Sequence, residues 1–265
     1  MGSHATTTAA TGAGIALVPW DPASDRHADR MTTQRQACGW DVDKVSHWQE
    51  RVAAGDKLLF WVVLLSGEGN DAAEALLARH RAECAGERES LRDTAARVGR
   101  SARKATGDAF LPIGHIALDE YPARNVLFGL PAATLWIKSF YISKAIRSGS
   151  LGRKAMAQVE AMAAAPPFCS AALALDTSSS EWQRRTASQS LYGTDEPPAE
   201  APAVQTNQAW YARQDYKDMA LPEKEEACAR MEGRKSLGYY AETDPETGAS
   251  VEIPTVYMYK MIDGR

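Results

Sequence analysis

The sequence predicts an α+β fold organised around a strand, a glycine-containing turn, an amphipathic helix and a buried strand. Three observations carry this. Thr134–Ser143 is rich in Trp, Ile, Phe and Tyr, a β-favouring composition. Leu151, Ala155, Val159 and Met162 then recur at helical spacing over Leu151–Ala165, until Pro166-Pro167 stops the helix. Cys169–Leu175 is continuously apolar, as a strand covered on both faces is. That order is a β-α-β unit.

The remaining elements follow in chain order. Ile15–Trp20 is a short apolar run ended by Asp21-Pro22 and reads as a strand. Asp25–Cys38 and Asp43–Ala54 read as helices, with Gly39 and Gly55 at their ends. Leu58–Leu65 is apolar throughout, short and β-branched or aromatic, so a buried strand. Segment 66–108 changes character: Arg, Glu and Ala dominate, and Ala72–Arg97 reads as one or two charged helices broken at Gly86. It is expected to be an inserted surface helix or loop; a partner-binding arm or basic patch (Arg97, Arg100, Arg103, Lys104) is the other reading.

Phe110–Tyr121 resumes the strand pattern. After the β-α-β unit, 178–203 turns polar and then Pro-rich and reads as a linker, extended at Pro197–Pro202. Ala203–Arg213 reads as a short helix with Pro202 in its first turn. Leu237–Glu242 and Val251–Ile262 are the last strands, joined by a turn at Asp244–Gly248. Residues 1–14 read as a flexible segment or tag remnant, and 15–265 as a single domain.

Composition excludes some classes. The 265 residues are 45% hydrophobic and 24% charged, an ordinary globular balance that argues against a disordered or fibrous chain. A formal net charge of -4 gives no global basicity for nucleic-acid binding. No apolar run approaches the ~20 residues of a bilayer span, and no signal peptide opens the chain. The expected location is cytoplasmic, without membrane or nucleic-acid partners. Cys38, Cys84, Cys169 and Cys228 have no C-x-x-C or Cys/His spacing, so free thiols and no metal are expected.

The segment Trp136–Arg153 carries the most chemistry. A strand delivers the chain to a turn with Gly149 and Gly152, and the turn opens a helix. Unpaired N–H groups at a helix start hold anions, glycine permits close approach, and Arg147 and Arg153 suit phosphate. A plain β-to-α turn with surface arginines is the alternative. No G-x-x-x-x-G-K-[ST] or G-x-G-x-x-G loop is present, which disfavours a nucleotide site.

This segment resembles the acetyl-CoA loop of the GNAT superfamily of N-acetyltransferases, Q/R-x-x-G-x-G/A. Arg147 takes the first position, Ser150 replaces the first Gly and Gly152 takes the second. Trp136–Ser143 resembles the family's fourth strand, Leu151–Ala165 its pyrophosphate-facing helix and Ala171–Thr177 its fifth strand. The W-I-K-S-F-Y-I-S and L-A-L-D-T wording is similar to stand-alone fungal members. Trp210–Tyr216 resembles the family's Y-x-x-x-G-F/Y ending, with Tyr211 at the Tyr and Asp215 in place of the Gly. Val256–Ile262 resembles the last strand. The resemblance covers 110–262 well and 15–65 loosely.

It implies a mixed, mostly antiparallel sheet flanked by helices, with strands four and five splayed and acetyl-CoA as cosubstrate. The implied cofactor contacts are Tyr141 and Ile142 through backbone, Arg147, Ser148, Gly149, Ser150, Leu151, Gly152, Arg153, Asn207 and Tyr211. The implied reaction is direct attack of an amine on the thioester. Tyr211, a phenol of ordinary pKa ~10, fits the donor to the leaving thiolate by position. Asp119, Glu120 or Asp176 could take the ammonium proton through water or attract a cationic substrate; the alternative for each is a solvated strand-end carboxylate. His115 is a further base candidate that reads more readily as structural.

The expected acceptor is a small amine: an amino acid, polyamine or amine metabolite, bound by Asp25–Ala54 and Pro122–Pro131. Protein lysines or N-termini, a longer acyl donor, and a catalytically silent acyl-CoA-binding scaffold are the alternatives. The oligomeric state is left open, a homodimer included.

Overall fold

The computed structural model describes residues 13–65, 70–147, 150–196, 198–222, 226, 236–243 and 250–262. The chain divides into two compact units, Met1–Leu118 with Ser139–Val159 and Asp119–Lys138 with Glu160–Arg265.

In the first unit, β1 (Ile15–Pro19) pairs antiparallel with β2 (Lys57–Leu64), Ile15 opposite Leu64 and Pro19 opposite Phe60. β2 neighbours β3 (Pro112–Glu120). α1 (Asp25–Cys38) opens on Ser24, whose side chain accepts from His27 N, and closes on Gly39 at φ +88°. α2 (Val45–Ala54) follows a 3-10 turn at Val42–Lys44 and closes on Gly55 at φ +84°. Both glycines occupy the left-handed region that ends helices without a Cβ clash. Trp20, Met31, Val45, Trp48, Leu59, Trp61, Val63, Phe110 and Ala117 form the core between these helices and strands.

The charged stretch departs from its expected form. α3 (Asp71–Glu83) is a helix, but Ala85–Glu87 is a 3-10 turn and no helix continues towards Arg97. Instead Leu91–Arg92 pairs with Ala109–Phe110, and Arg97–Val98 with Ser101–Ala102. Nor is the stretch wholly on the surface: His80, Glu87 and Asp93 are buried. Asp93 explains the fold there. It accepts both guanidinium nitrogens of Arg103, at 2.6 and 2.7 Å, together with the N–H and hydroxyl of Thr106. These donors hold its carboxyl down at about 2.

β4 (Leu135–Ile142) runs through both units, its last four residues in the first. Its approach to β3 is close: a Cβ at Gly114 would run into the Tyr141 carbonyl oxygen, so only glycine fits there. α5 (Leu151–Ala164) buries Leu151, Ala155, Met156, Val159 and Ala163. Met162, expected on that face, is only half-buried, and Met156 and Ala163 complete it.

In the second unit, Leu135–Ile137 of β4 pairs parallel with Leu173–Leu175 of β5 (Ala172–Ser178), and the ladder stops there. β8 (Ser250–Met261) pairs antiparallel with β5, with β6 (Lys217–Met219) and with β7 (Tyr239–Thr243). β4 with β5 is parallel, while β1 with β2 and β8 with β5, β6 and β7 are antiparallel, the mixed sheet the resemblance implies. Trp136, Ala174, Leu237 and Tyr257 centre this core, with Tyr121, Phe128 and Leu130 against them. β5 begins three residues later than the apolar run suggests, because Ser170 leaves the strand: its hydroxyl sits 2.8 Å from the Ala133 carbonyl and 2.7 Å from that of Ala172.

Two expectations fail here. Segment 178–203 is not a linker throughout: α6 (Ser180–Tyr192) fills half of it, capped by the Ser179 side chain on Trp182 N at 3.1 Å. α7 (Asn207–Ala212) starts later than expected, capped by Thr206 rather than opened by Pro202. A side-chain cap satisfies an orphan helix N–H, which a proline cannot do. The turn at Asp244–Gly248 and the thiol of Cys228 lie outside the described residues; Cys38, Cys84 and Cys169 are free thiols. Among the described residues no helix is long and apolar enough to cross a membrane.

Candidate active site

The sequence-predicted residues fall into two groups, one in each unit. The first is the loop after β4. Ile142 ends the strand, and Lys144–Ile146 forms a 3-10 turn anchored by the fully buried Ile146. Arg147 follows, exposed, its Nε donating to the Ile142 carbonyl at 3.3 Å. Ser148 and Gly149 lie outside the described residues. Ser150 sits at φ +65°, and its carbonyl accepts the Lys154 N–H at 2.9 Å, so it precedes the first turn of α5.

The first N–H groups of this 14-residue helix have no partner inside it and carry its positive end. Leu151 is buried and offers only backbone; Gly152 presents no side chain; Arg153 is exposed. Tyr141 and Ile142 are likewise buried, Tyr141 stacked on His115 at 5.5 Å. Their available chemistry is that of the backbone.

Ser150 has a left-handed backbone, a region glycine enters without a Cβ clash. Asp215, at the second missing glycine, does the same at φ +68°. Asp is among the residues that enter this region most readily.

The second group surrounds Asp176 in the second unit. Its side chain is fully buried, not a solvated strand end, and the residue lies mid-way along β5 with two more residues following. Lys138 Nζ stands 2.5 Å from Oδ1 and Arg124 NH1 3.8 Å from Oδ2, and the Tyr240 hydroxyl donates to Oδ2. Burial alone would raise its pKa. Lys138 and Arg124 override that and hold the carboxyl well below the usual carboxylate range. Arg124 projects from α4 (Pro122–Leu127), its guanidinium 4.4 Å over the Tyr121 ring, 5.0 Å over Trp136 and 5.7 Å over Tyr257. Asn125 ties α4 to β4, donating to the Ala132 and Thr134 carbonyls at 3.0 and 2.9 Å and accepting from Trp136 Nε1 at 2.8 Å.

Tyr211, on α7, lies in the field of this carboxylate. Burial first, and the Asp176 charge second, push its phenol above its ordinary pKa. The hydroxyl has no hydrogen-bond partner among the described residues, while the ring packs edge-on against Trp210 at 4.9 Å and Tyr216 at 5.9 Å. The phenol is therefore protonated and uncommitted.

The other candidates separate by burial. Glu120 is exposed at the end of β3. Asp119 is buried, accepting the Tyr121 hydroxyl at 3.0 Å. Asn207 is exposed and opens α7. His115 is buried, its Nδ1 2.8 Å from Gln34 Oε1 and its pKa pushed well below neutrality by burial, Arg35 and Lys57. It cannot reach solvent to act as a base. Sequence reasoning missed Arg124, Lys138 and Tyr240. One signal was present: Lys138 is a lone charge in an apolar strand, which needs a buried counter-ion.

No family model matches this chain, and no curated protein matches it by sequence. Solved structures with a similar chain path include an aminoglycoside 6'-N-acetyltransferase complexed with coenzyme A, 9% identical over 94% of this chain and 98% of that one, with a TM-score of 0.44. An Arabidopsis thaliana NAA60 in complex with a bisubstrate analogue is 10% identical, covering 93% and 98%, with a TM-score of 0.45. A probable GNAT-family acetyltransferase from Chromobacterium violaceum is 11% identical, covering 98% and 89%, with a TM-score of 0.44. Identities this low and TM-scores below 0.5 describe a chain path and say nothing of activity.

Proposed function

We propose that the protein is an acetyl-CoA-dependent N-acetyltransferase whose acceptor is a small primary amine. The observation that supports this most is the loop after β4, where the exposed Arg147 and Arg153 stand at the start of the 14-residue helix α5.

In this reading Arg147, Arg153 and the N-terminal N–H groups of α5 hold the pyrophosphate, and β4 backbone near Tyr141 and Ile142 pairs with the pantetheine arm. The amine nitrogen attacks the thioester carbonyl carbon; the C–S bond breaks, thiolate leaves, and one amine proton is lost. Tyr211 donates a hydrogen bond to the sulfur. Its raised pKa exceeds the ~8.5 of an ordinary thiol, so it stabilises the thiolate by hydrogen bonding and need not surrender its proton. Asp176, held ionised by Lys138 and Arg124, is a poor proton acceptor and instead fixes the charge around Tyr211. Glu120, exposed, is the carboxylate left to take the ammonium proton through water.

Thermal unfolding with and without acetyl-CoA tests this. Ligand at ~100 times its dissociation constant adds about 2.7 kcal/mol to the native state, a rise on the order of 4 °C or more for a chain of this length. Stabilisation by acetyl-CoA but not by ATP or NAD, followed by CoA release with an amine panel, is the expected result. No stabilisation at saturating acetyl-CoA would overturn the reading.

A further inference from the structure

A chain of buried polar groups in the first unit is unused by this mechanism, and it ends beneath the loop. His80 of α3 is fully buried, and its Nδ1 lies 2.9 Å from Ser143 Oγ. Ser143, also fully buried, joins β4 to the turn that delivers Arg147. Its N–H donates to the Ile113 carbonyl at 2.8 Å, and its carbonyl accepts from Ile146 at 3.1 Å. α3 packs against that turn. On its other side, His80 Nε2 faces Glu87 Oε2 at 3.7 Å. Glu87 accepts from Gln34 Nε2 at 2.6 Å, Gln34 Oε1 lies 2.8 Å from His115 Nδ1, and His115 Nε2 lies 3.3 Å from Arg35 NH1.

The donors and acceptors along this chain suit one placement of protons. A guanidinium only donates, so His115 Nε2 accepts, its Nδ1–H donates to Gln34, and the Gln34 amide donates to Glu87. Burial first, then Arg30 and Arg81, push His80 down to about 4, so it is neutral. A neutral ring with Nε2–H towards the Glu87 carboxylate, 3.7 Å away, leaves Nδ1 to accept the Ser143 O–H. Among the described residues His80 Nε2 has no hydrogen-bond partner, so the Ser143 contact is the hydrogen bond that holds this ring.

We propose that His80 is a positioning residue for the cofactor loop: by accepting the Ser143 hydroxyl it fixes the end of β4 and the turn that presents Arg147. The charged stretch that carries α3 thereby acquires a role, that of a buttress beneath the phosphate site. This rests on the acetyl-CoA reading of the loop.

The test is the acetyl-CoA dissociation constant by titration calorimetry, with KM and kcat, for wild type, Ser143→Ala, His80→Leu and His80→Asn, each with its ligand-free melting curve. Losing one hydrogen bond should raise Kd and KM about fivefold in Ser143→Ala and His80→Leu, with kcat within about twofold. His80→Asn, whose amide oxygen can stand where Nδ1 stood, should recover most of the affinity. Should His80→Leu fail to fold, Ser143→Ala, which loses a single hydroxyl, decides alone. A folded Ser143→Ala protein with wild-type Kd overturns the proposal. Wild-type protein that does not bind acetyl-CoA overturns the loop reading itself, and this proposal with it.

Discussion

The loop after β4 keeps its charges in water, whereas the cluster around Asp176 keeps its charges inside the second unit. Arg147 and Arg153 are exposed, and Arg147 donates to the Ile142 carbonyl of the preceding strand. Asp176 is sealed among Lys138, Arg124 and Tyr240. Exposed charges are screened and nearly independent. Buried charges depend on one another, because removing one leaves the others desolvated without a counter-ion. The first arrangement suits a ligand that arrives with its own charge; the second suits a fixed field around a reacting group.

The largest expected effect belongs to the buried group. Asp176→Ala leaves Lys138 and Arg124 uncompensated and should cost about 3–5 kcal/mol, read from urea unfolding. A loss under about 1 kcal/mol, the size seen for exposed pairs, would erase the contrast. The pH dependence has a definite sign. Asp176 has a folded-state pKa below its unfolded value of ~3.9, so its contribution is complete above that value and fades as pH falls below it. Asp176→Ala should flatten the acid limb of the stability curve.

Tyr211→Phe comes next. It should lower kcat about a hundredfold, as expected for losing a hydrogen-bond donor to a group that gains charge in the reaction, with acetyl-CoA affinity intact. Arg147→Ala should do the reverse, raising Kd for acetyl-CoA about tenfold with no change in stability. The wild-type affinity should weaken with salt, and less so in Arg147→Ala. The smallest effect is at the loop backbone. Ser150→Gly should change stability by under about 1 kcal/mol, since relief of the left-handed strain opposes the greater entropy of the unfolded chain. Ser150→Val, whose branched side chain tolerates positive φ poorly, should destabilise more; calorimetry of both separates strain from side-chain loss.

The same contrast explains what was legible. The strand and helix flanking the loop could be read because their signals are local, within positions 136–165. The caps and ends of α1 and α2 could be read for the same reason, Gly39 and Gly55 being where the chain must turn left-handed. The Asp176 cluster could not. Its members, at 124, 138, 176, 211 and 240, meet only after folding, and no spacing announces them. The buried network of His80, Glu87 and Gln34 hid for the same reason, within a stretch whose composition imitates a solvated surface. α6 was masked by polar residues, because helices with little apolar face read as linker.

The central claim is that binding and chemistry are divided between the exposed loop and the buried cluster. The most direct test measures acetyl-CoA dissociation constant and acetyl-transfer rate at saturating acetyl-CoA, side by side, in Arg147→Ala and Tyr211→Phe. The account predicts a double separation: weaker binding with a wild-type rate in the first, wild-type binding with a slow rate in the second. Equal losses of both quantities in both variants, or no loss in either, would contradict it.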